Sequence, residues 1–278
     1  MSEGELEGRV AIVTGAGAAA SGIGNGRAAA VLLARAGARV GLLDVVAESM
    51  DETRELIETA GGECVAVPCD VGDPAACRDA VAAVLDAYGR LDVLVNNVGI
   101  VGPPGTVETV DLDAWEHCLR VNLTSVVLMS RFALPAIRAA GGGAIVNMSS
   151  VAGLAGGVPL VAYSASKGAI NTLTKTMATQ HGPEGVRVNA VAPGFVHTPL
   201  ITTHGLSEAD RERRRLAAPL RTEGTGWDVG EAVLFLASPR SQWITGVVLP
   251  VDAGLIATGF SLDSSQSVHD ALAADTRG

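Results

Sequence analysis

The sequence is poor in aromatic residues and has no excess of basic ones. Aromatic side chains make up 3% of the 278 residues and hydrophobic residues 48%, so a folded core must be mainly aliphatic. The formal net charge is −10. This sign argues against a nucleic-acid-binding protein, which normally presents a basic face. We therefore expect no nucleic-acid partner and interpret the acidic balance as a contribution to solubility.

Cysteine motifs and long apolar segments are also missing. The first nine residues are acidic and polar, unlike a signal peptide, and the uncharged stretch 139–166 is interrupted by Gly, Asn, Ser and Pro, unlike a membrane span. The four cysteines form no CxxC pair and have no histidine at a metal-binding spacing: Cys64, Cys69, Cys77 and Cys118. We expect free thiols in a reducing cytoplasm, no metal site and no membrane partner.

What the sequence does contain is a regular alternation of aliphatic runs with helical patterns. Seven runs are typical of buried parallel strands: 9–14, 39–44, 64–68, 91–95, 143–148, 186–191 and 247–251. We predict a single α/β domain over 1–278, a doubly wound parallel sheet (Rossmann) of seven strands with helices on both faces. The polar segment 200–226 is interpreted as a substrate lid. The polar tail 262–278 is expected to be disordered or to dock on a partner subunit.

A glycine-rich loop, residues 15–26, lies between the first strand and an alanine-rich helix, and the second strand ends on Asp44. Glycines at such a turn let the backbone approach a pyrophosphate, and an acid about 20 residues further on binds ribose hydroxyls. The arrangement predicts a dinucleotide site. No Arg or Lys lies in the loop or directly after Asp44. A 2′-phosphate would meet a carboxylate without a counter-charge, which favours NAD (NADH) over NADP.

Proton-transfer chemistry is indicated by Tyr163 and Lys167, whose spacing of four places them one turn apart on one helix face. A cation there would favour the phenolate and lower the pKa of the tyrosine toward neutrality. Asn122 falls on an otherwise apolar helical stripe that runs from Trp115 to Ile137. A buried amide needs hydrogen-bond partners, so Asn122 is either a satisfied core residue or a site residue.

Together with further motifs in the same order, these residues resemble the short-chain dehydrogenase/reductase family over about residues 6–254. The shared elements are Thr14-Gly15 with Gly24-Asn-Gly26, Asp70-Val71, Asn96-Asn97-Val98-Gly99, Asn122, Ser150, Tyr163-x-x-x-Lys167, Pro193-Gly194-Phe-Val-His-Thr198 and Thr245-Gly246 with Asp252-Ala-Gly254. The family's serine lies thirteen residues before its tyrosine, as Ser150 does here. This spacing selects Ser150 rather than Ser149.

Two positions depart from the family pattern. The family motif is TGxxxGxG, whereas here roughly five extra residues follow Gly15. Counting back from the second strand makes Gly24 and Gly26 the second and third glycines. We prefer this register to Gly22 and Gly24 because helix length fixes the distance to the strand. Val98 stands where the family usually has alanine, and we expect it to fill space without changing the chemistry.

The resemblance implies a role for each site residue. Tyr163 would be the general acid/base and Ser150 would orient the substrate oxygen. Lys167 would bind the nicotinamide ribose and lower the pKa of the tyrosine, and Asn122 would hold a water that relays protons to solvent. The cofactor contacts implied are Gly15, Gly24, Gly26, Asp44, Asp70, Val71, Asn97, Gly99, Tyr163, Lys167, Pro193, Gly194, Val196 and Thr198.

The function implied is NAD(H)-dependent interconversion of a secondary alcohol and a ketone by hydride transfer. One alternative is a 3-oxoacyl-(acyl-carrier-protein) reductase using NADPH, against which Asp44 counts. A second alternative is a non-catalytic NAD-binding regulator, but such a protein would not need the four catalytic side chains together. A nucleotide-sugar or methyl-transfer Rossmann enzyme is a third alternative, and the motifs favour it least. The family also implies a homotetramer or homodimer paired through two long helices.

The substrate is less well specified. Pocket-lining residues are expected in the segment 200–226 and at Leu154, Ala155, Val158 and Leu160. These predict a small, mostly apolar alcohol or ketone with no carboxylate clamp. His197 and His204 are interpreted as surface or satisfied loop histidines rather than catalytic ones.

Overall fold

The computed structural model describes residues 4–18, 20–156, 159–199, 205 and 207–258. Seven parallel strands form one sheet in the order β3-β2-β1-β4-β5-β6-β9, which confirms the predicted doubly wound architecture. The strands are β1 (Val10–Thr14), β2 (Arg39–Asp44), β3 (Cys64–Pro68), β4 (Val93–Asn96), β5 (Gly143–Met148), β6 (Val186–Pro193) and β9 (Val248–Val251). Two further strands of two residues each, β7 (Val196–His197) and β8 (Gly224–Thr225), pair separately.

Helices connect the strands and begin at recognisable signals. They are α1 (Asn25–Arg35), α2 (Asp51–Thr59), α3 (Pro74–Tyr88), α4 (Leu112–Leu119), α5 (Ser125–Ala139), α6 (Val161–His181), α7 (Glu208–Ala217) and α8 (Gly226–Ala237). Asp73 caps α3 by accepting from the amide of Ala75, with Pro74 at the first helical position, and Gly89 ends the helix at φ 74°. None of the described helices is long and apolar enough to cross a membrane.

The core lies on both faces of the sheet, because successive side chains of a strand point to opposite sides. In β1, Val13 packs with the buried residues of α1, α2 and α8, whereas its neighbour Ile12 packs with those of α3, α5 and α6. Both are fully buried. Continuous aliphatic strands are thus the expected signature of a sheet covered on both faces.

Two elements differ from the sequence-based expectation. The helical stripe through Asn122 is not one helix, because a π-helical turn, Arg120–Thr124, separates α4 from α5. Helix α6 begins at Val161, two residues before Tyr163. The predicted lid contains α7, which has no buried residue, and the short strand β8. The predicted tail 262–278, Val158, His204 and most of 200–206 lie outside the described residues.

Candidate active site

The carboxyl ends of the parallel strands meet at one edge of the sheet, where the chain reverses its winding between β1 and β4. Open α/β sheets bind ligands in the crevice at such a switch point. The glycine-rich loop 15–26 follows β1, and the segment beginning with Asn97 follows β4. The topology therefore brings these two motifs to the same crevice.

The glycines of the first loop differ in the space around them. A Cβ on Gly26 would lie 2.0 Å from the carbonyl oxygen of Gly15, so α1 can approach this loop only through a glycine. A Cβ on Gly24, the N-cap of α1, would meet no heavy atom within 4 Å. Gly22 has φ 121°, and a Cβ there would lie 3.3 Å from Pro199. Gly26 is closely packed and the N-cap at Gly24 is open, and the register that makes Gly24 and Gly26 the second and third glycines stays our prediction.

The side chain of Asn97 holds the start of the glycine-rich loop in place. Its side-chain nitrogen donates to the carbonyl oxygens of Thr14 and Gly15, both at 3.0 Å. The Thr14 hydroxyl accepts from the amides of Asn97 and Val98 and donates to the carbonyl of Val95. Thr14 is thus a positioning residue absent from the predicted site, although its place at the end of β1 offered a signal.

Two carboxylates lie at the neighbouring ends of β2 and β3. Asp44 accepts from the amide of Gly17 at 3.0 Å, and Asp70 accepts from the amide of Gly72 at 2.8 Å. The strands are in register there, and Cys69 donates its amide to the carbonyl of Asp44. Both predicted contacts for the adenosine half of a dinucleotide therefore share one corner of the crevice, with Val71 buried beside them.

Arg27 is a basic residue directly after the glycine-rich loop. Its guanidinium is 2% exposed, pairs with Glu52 at 2.5 Å and donates to the hydroxyl of Thr53 and the carbonyls of Gly22 and Ser49. It ties the glycine-rich loop to α2 and the turn before it. Because these groups occupy the guanidinium, Arg27 is not presented to the crevice near Asp44.

Tyr163, Lys167 and Ser150 meet at the same edge of the sheet. Ser150 is the second residue after β5, and its side chain forms a hydrogen bond with that of Tyr163. The Lys167 ammonium donates to the carbonyl of Met148 at 2.7 Å and lies 5.7 Å from the centroid of the Tyr163 ring. The fold thus assembles hydroxyl, phenol and amine from a strand end and one face of α6.

Burial dominates the protonation of this cluster. It raises the pKa of the Tyr163 phenol, which the hydrogen bond with Ser150 lowers by less and the nearby Cys118 thiol raises further. Burial also lowers the pKa of Lys167 to about 8, with Cys118 acting in the opposite direction. On balance the chain's own groups therefore raise the pKa of the tyrosine, in contrast to the expectation from sequence. Desolvation of the phenolate outweighs the hydrogen bond with Ser150.

Asn122 is fully buried in the π-helical turn and completely engaged. Its Oδ1 accepts from the amide of Ile100 at 2.8 Å, and its Nδ2 donates to the carbonyl of Ile100 at 2.9 Å and to the Ser166 hydroxyl at 3.1 Å. A Cβ on Gly99 would lie 3.2 Å from Nζ of Lys167 and 3.5 Å from Oδ1 of Asn122. The amide thus holds the segment after β4 against Lys167, which accounts for its place on an apolar stripe.

The loop after β6 is packed just as closely. A Cβ on Gly194 would lie 2.6 Å from the Cβ of Asp252, so only glycine allows this contact. The amide of Val196 donates to the carbonyl of Gly194 at 3.0 Å. Pro193, Val196 and Thr198 are all buried. The predicted carboxamide contacts thus lie in a well-anchored loop at the same strand edge.

A cavity of about 190 Å³ adjoins this loop. Its wall includes apolar side chains and four charged ones: Phe195, Val196, Leu220, Val229, Val251, Leu255, Arg214, Glu223, Asp228 and Asp252. Part of the predicted lid therefore lines it, but Leu154 and Leu160 do not. The imidazole of His197 lies 3.8 Å from the carboxylate of Glu223, which also binds Arg211.

Comparison with known proteins agrees with this geometry. Residues 17–256 match the family model described as enoyl-(acyl carrier protein) reductase. The chain is 41% identical over 253 residues to cis-4-hydroxycyclohexanecarboxylate dehydrogenase of Sinomonas cyclohexanicum, covering 90% of this chain and 97% of the relative. It is 38% identical over 251 residues to the 3-oxoacyl-[acyl-carrier-protein] reductase FabG of Thermotoga maritima, covering 90% and 99%.

A solved structure gives the same result. The crystal structure of levodione reductase superposes with a TM-score of 0.86 at 30% identity, covering 91% of this chain and 99% of the other. Fold, strand order and sequence similarity over nine-tenths of the chain identify an oxidoreductase of the type that acts on alcohols and ketones with a nicotinamide dinucleotide. The chain belongs to the short-chain dehydrogenase/reductase family.

Proposed function

We propose that the chain is an NAD(H)-dependent oxidoreductase that interconverts a secondary alcohol and a ketone, with Tyr163 as general acid/base. The observation that carries the proposal is the convergence of Ser150, Tyr163, Lys167 and Asn122 at the crevice edge. A non-catalytic regulator that binds a dinucleotide would need the glycine-rich loop and Asp44 but not these four groups.

The chain's own residues support each step at the substrate oxygen. Ser150 contacts the Tyr163 phenol, so a substrate oxygen placed between them would accept a hydrogen bond from each. In ketone reduction Tyr163 gives its proton to that oxygen, and in alcohol oxidation it takes the proton back. Burial raises the pKa of the phenol and suits the proton-donating role. The protonated Lys167 next to it favours the reverse role.

Lys167 and Asn122 act behind the phenol. With a pKa of about 8, Lys167 can gain and lose a proton near neutral pH, and it can return a proton to Tyr163. The side chain of Asn122 is occupied by Ile100 and Ser166. We therefore assign it the positioning of the segment after β4, and the water relay that we expected would have to use backbone groups of the π-helical turn.

The crevice fits a nicotinamide dinucleotide. The N-terminus of α1, an 11-residue helix, is unobstructed at Gly24, where a pyrophosphate would meet free amides and the positive end of the helix dipole. Asp44 and Asp70 would hold the adenosine half, and the buried loop at Val196 and Thr198 the carboxamide. When bound, the cofactor supplies the hydride, and the chain supplies position and proton transfer.

The preference for NAD is proposed from the charges around Asp44. Arg27 is directed away into α2 and pairs with Glu52, so a 2′-phosphate would face the carboxylate alone. The test is the ratio of kcat/KM for NADH and NADPH in the wild type and in Asp44→Ala. We expect NADH to be preferred and the preference to fall at least about tenfold in the variant, since one charge repulsion of about 1.4 kcal/mol gives that factor. Preference for NADPH in the wild type would contradict the assignment.

For the substrate we propose a small, mostly apolar secondary alcohol, cyclic or aromatic. Support comes from the similarity to a hydroxycyclohexanecarboxylate dehydrogenase. Similarity to an acyl-carrier-protein reductase is nearly as high, so a 3-oxoacyl thioester belongs in the same screen with NADPH. Turnover of cyclohexanol with NAD, lost by at least about a hundredfold in Tyr163→Phe, is the expected outcome. Unchanged turnover in that variant would remove Tyr163 from its role.

We also propose a cytoplasmic homotetramer or homodimer. The four cysteines are free thiols, as expected in a reducing compartment. Leu112 on α4 and Trp243 before β9 are 71% and 95% exposed, and burying such side chains in a subunit interface would stabilise an assembly. Light scattering tests the assembly, and a monomer at working concentrations would contradict it.

A further inference from the structure

Two buried polar side chains beside the catalytic groups have no part in the chemistry proposed above. Ser149, at the end of β5, donates its hydroxyl to Oδ1 of Asn171 at 2.6 Å and lies 3.1 Å from the carbonyl of Lys167. Both Ser149 and Asn171 are less than a tenth exposed. The side chains of the two serines therefore have different partners. Ser149 binds α6 from within the core, whereas Ser150 contacts Tyr163.

Asn171 makes a second contact on the other side of Ser150. Its Nδ2 donates at 2.9 Å to the carbonyl of Gly153, the last residue of the short 3-10 turn Val151–Gly153. The turn lies directly on α6, since a Cβ on Gly153 would come within 2.5 Å of the backbone carbon of Lys167. One amide thus joins the residue before Ser150 and the turn after it to the same helix.

That helix also carries the phenol and the amine. Tyr163, Lys167 and Asn171 are spaced by four residues and lie along one face of α6. Ser150 lies between Ser149 and Gly153, which both form hydrogen bonds with Asn171. The distance between the Ser150 and Tyr163 hydroxyls depends on these two hydrogen bonds. We propose that Asn171 is a positioning residue that sets Ser150 against Tyr163 for the proposed alcohol–ketone chemistry.

A purely structural amide would stabilise the fold without affecting Tyr163, and Thr174 provides the matched control. Thr174 is fully buried on the same helix and accepts from Nδ2 of Asn147 at 3.0 Å, without contact to the Ser150 turn. Asn171→Ala removes two hydrogen bonds of α6 and Thr174→Val removes one. Both should lower the melting temperature, and only Asn171→Ala should affect the active site.

The first measurement needs no substrate. The chain has two tyrosines, Tyr88 and Tyr163, so in a Tyr88→Phe background Tyr163 is the only one and its ionisation can be followed by NMR of 13C-labelled tyrosine. The groups that face its phenol are Ser150, Lys167 and the Cys118 thiol from α4.

Because the Ser150 hydrogen bond lowers the pKa of the phenol, loss of alignment in Asn171→Ala should raise that pKa by about half a pH unit to one pH unit. Ser150→Ala should raise it equally, and adding Asn171→Ala to Ser150→Ala should change nothing more. Thr174→Val should leave the pKa as it is. Equal pKa values in Asn171→Ala and Thr174→Val, or additive effects of the Ser150 and Asn171 substitutions, would overturn the proposal.

The second measurement is turnover of cyclohexanol with NAD. Asn171→Ala should lower kcat by about ten- to a hundredfold, leave KM for NAD unchanged and have no further effect in Ser150→Ala. If Asn171→Ala does not fold, Ser149→Ala opens one of the two ties and should shift the tyrosine pKa in the same direction. If the wild type turns over no alcohol in a broad screen, the proposed function fails, while the tyrosine titration still decides the role of Asn171.

Discussion

Replacing Lys167 by methionine should change the pH dependence of stability in a predictable way. The ammonium is 3% exposed, and burial lowers its pKa from 10.5 to about 8. At about 1.4 kcal/mol per pH unit, this difference corresponds to roughly 3 kcal/mol. Methionine has a similar length and no charge, so Lys167→Met removes the ionisation while filling most of the same volume.

The sign follows from which state holds the proton. Between pH about 8 and 10.5 the unfolded chain keeps the proton on Lys167 and the folded chain has released it, so the lysine's contribution to stability rises with pH. Below pH 8 both states are protonated, and the folded protein carries the full desolvation cost. The free energy of unfolding of the wild type, relative to Lys167→Met, should therefore increase by about 3 kcal/mol between pH 7 and pH 11.

Urea unfolding followed by tryptophan fluorescence, at equal protein concentrations over that pH range, measures this difference. Loss of the hydrogen bond to Met148 shifts the variant by a constant amount and leaves the slope unaffected. Lys175→Met is the control, because Lys175 is exposed on the same helix and an ammonium in water loses no hydration on folding. A wild-type minus Lys167→Met difference that stays constant across the range would refute the reasoning.

Further predictions concern the opposite edge of the sheet and the glycine-rich loop. Asp92 is buried and accepts from Arg9, Arg90 and the amide of Val10, and these bonds lower its pKa although burial, the largest single influence, raises it. Asp92→Asn should lower the free energy of unfolding by about 3 kcal/mol at pH 7, measured by urea titration. The difference from the wild type should begin to shrink as the pH falls below about 4. The kcat of the folded variant should equal that of the wild type. Gly26→Ala should destabilise the fold through its contact with Gly15, whereas Gly24→Ala should leave the melting temperature within about 2 °C and weaken NADH binding, measured by fluorescence titration.

Two outcomes would contradict these expectations. An Asp92→Asn variant whose stability gap is the same at about pH 2 as at pH 7 would show that the carboxylate's charge is not what stabilises the wild type. Full NADH affinity in a folded Gly24→Ala variant would show that the pyrophosphate does not approach the N-cap of α1.

Much of the fold could be predicted because its signals are local. Each of the seven strands is mainly aliphatic, and each was placed to within about two residues because a parallel strand covered on both faces must be largely apolar. Tyr163 and Lys167 could be paired because helical periodicity alone puts them on one face. These inferences required no knowledge of which segments meet in space.

The parts that were not predicted depend on contacts between distant segments. The π-helical turn at Asn122 is coupled to Ile100, 22 residues earlier, and a pattern with 3.6 residues per turn contains no sign of that pairing. The role of Asn171 depends on Ser149 and Gly153, each some twenty residues away. The raised pKa of Tyr163 reflects burial, which is a property of the assembled site.

Helix α7 has a consequence for the rate at which ligands enter and leave. None of its residues is fully buried, so little hydrophobic free energy holds it to the body of the protein. Its described ties are polar or cation–π: Arg211 to Glu223, and Arg214 to the carbonyl of Val196 and the ring of Phe195. At about 1 kcal/mol for each, these three contacts would leave the detached state populated at roughly half a per cent. We expect access beside the loop after β6 to open far more often than the core unfolds, and more often still at high ionic strength.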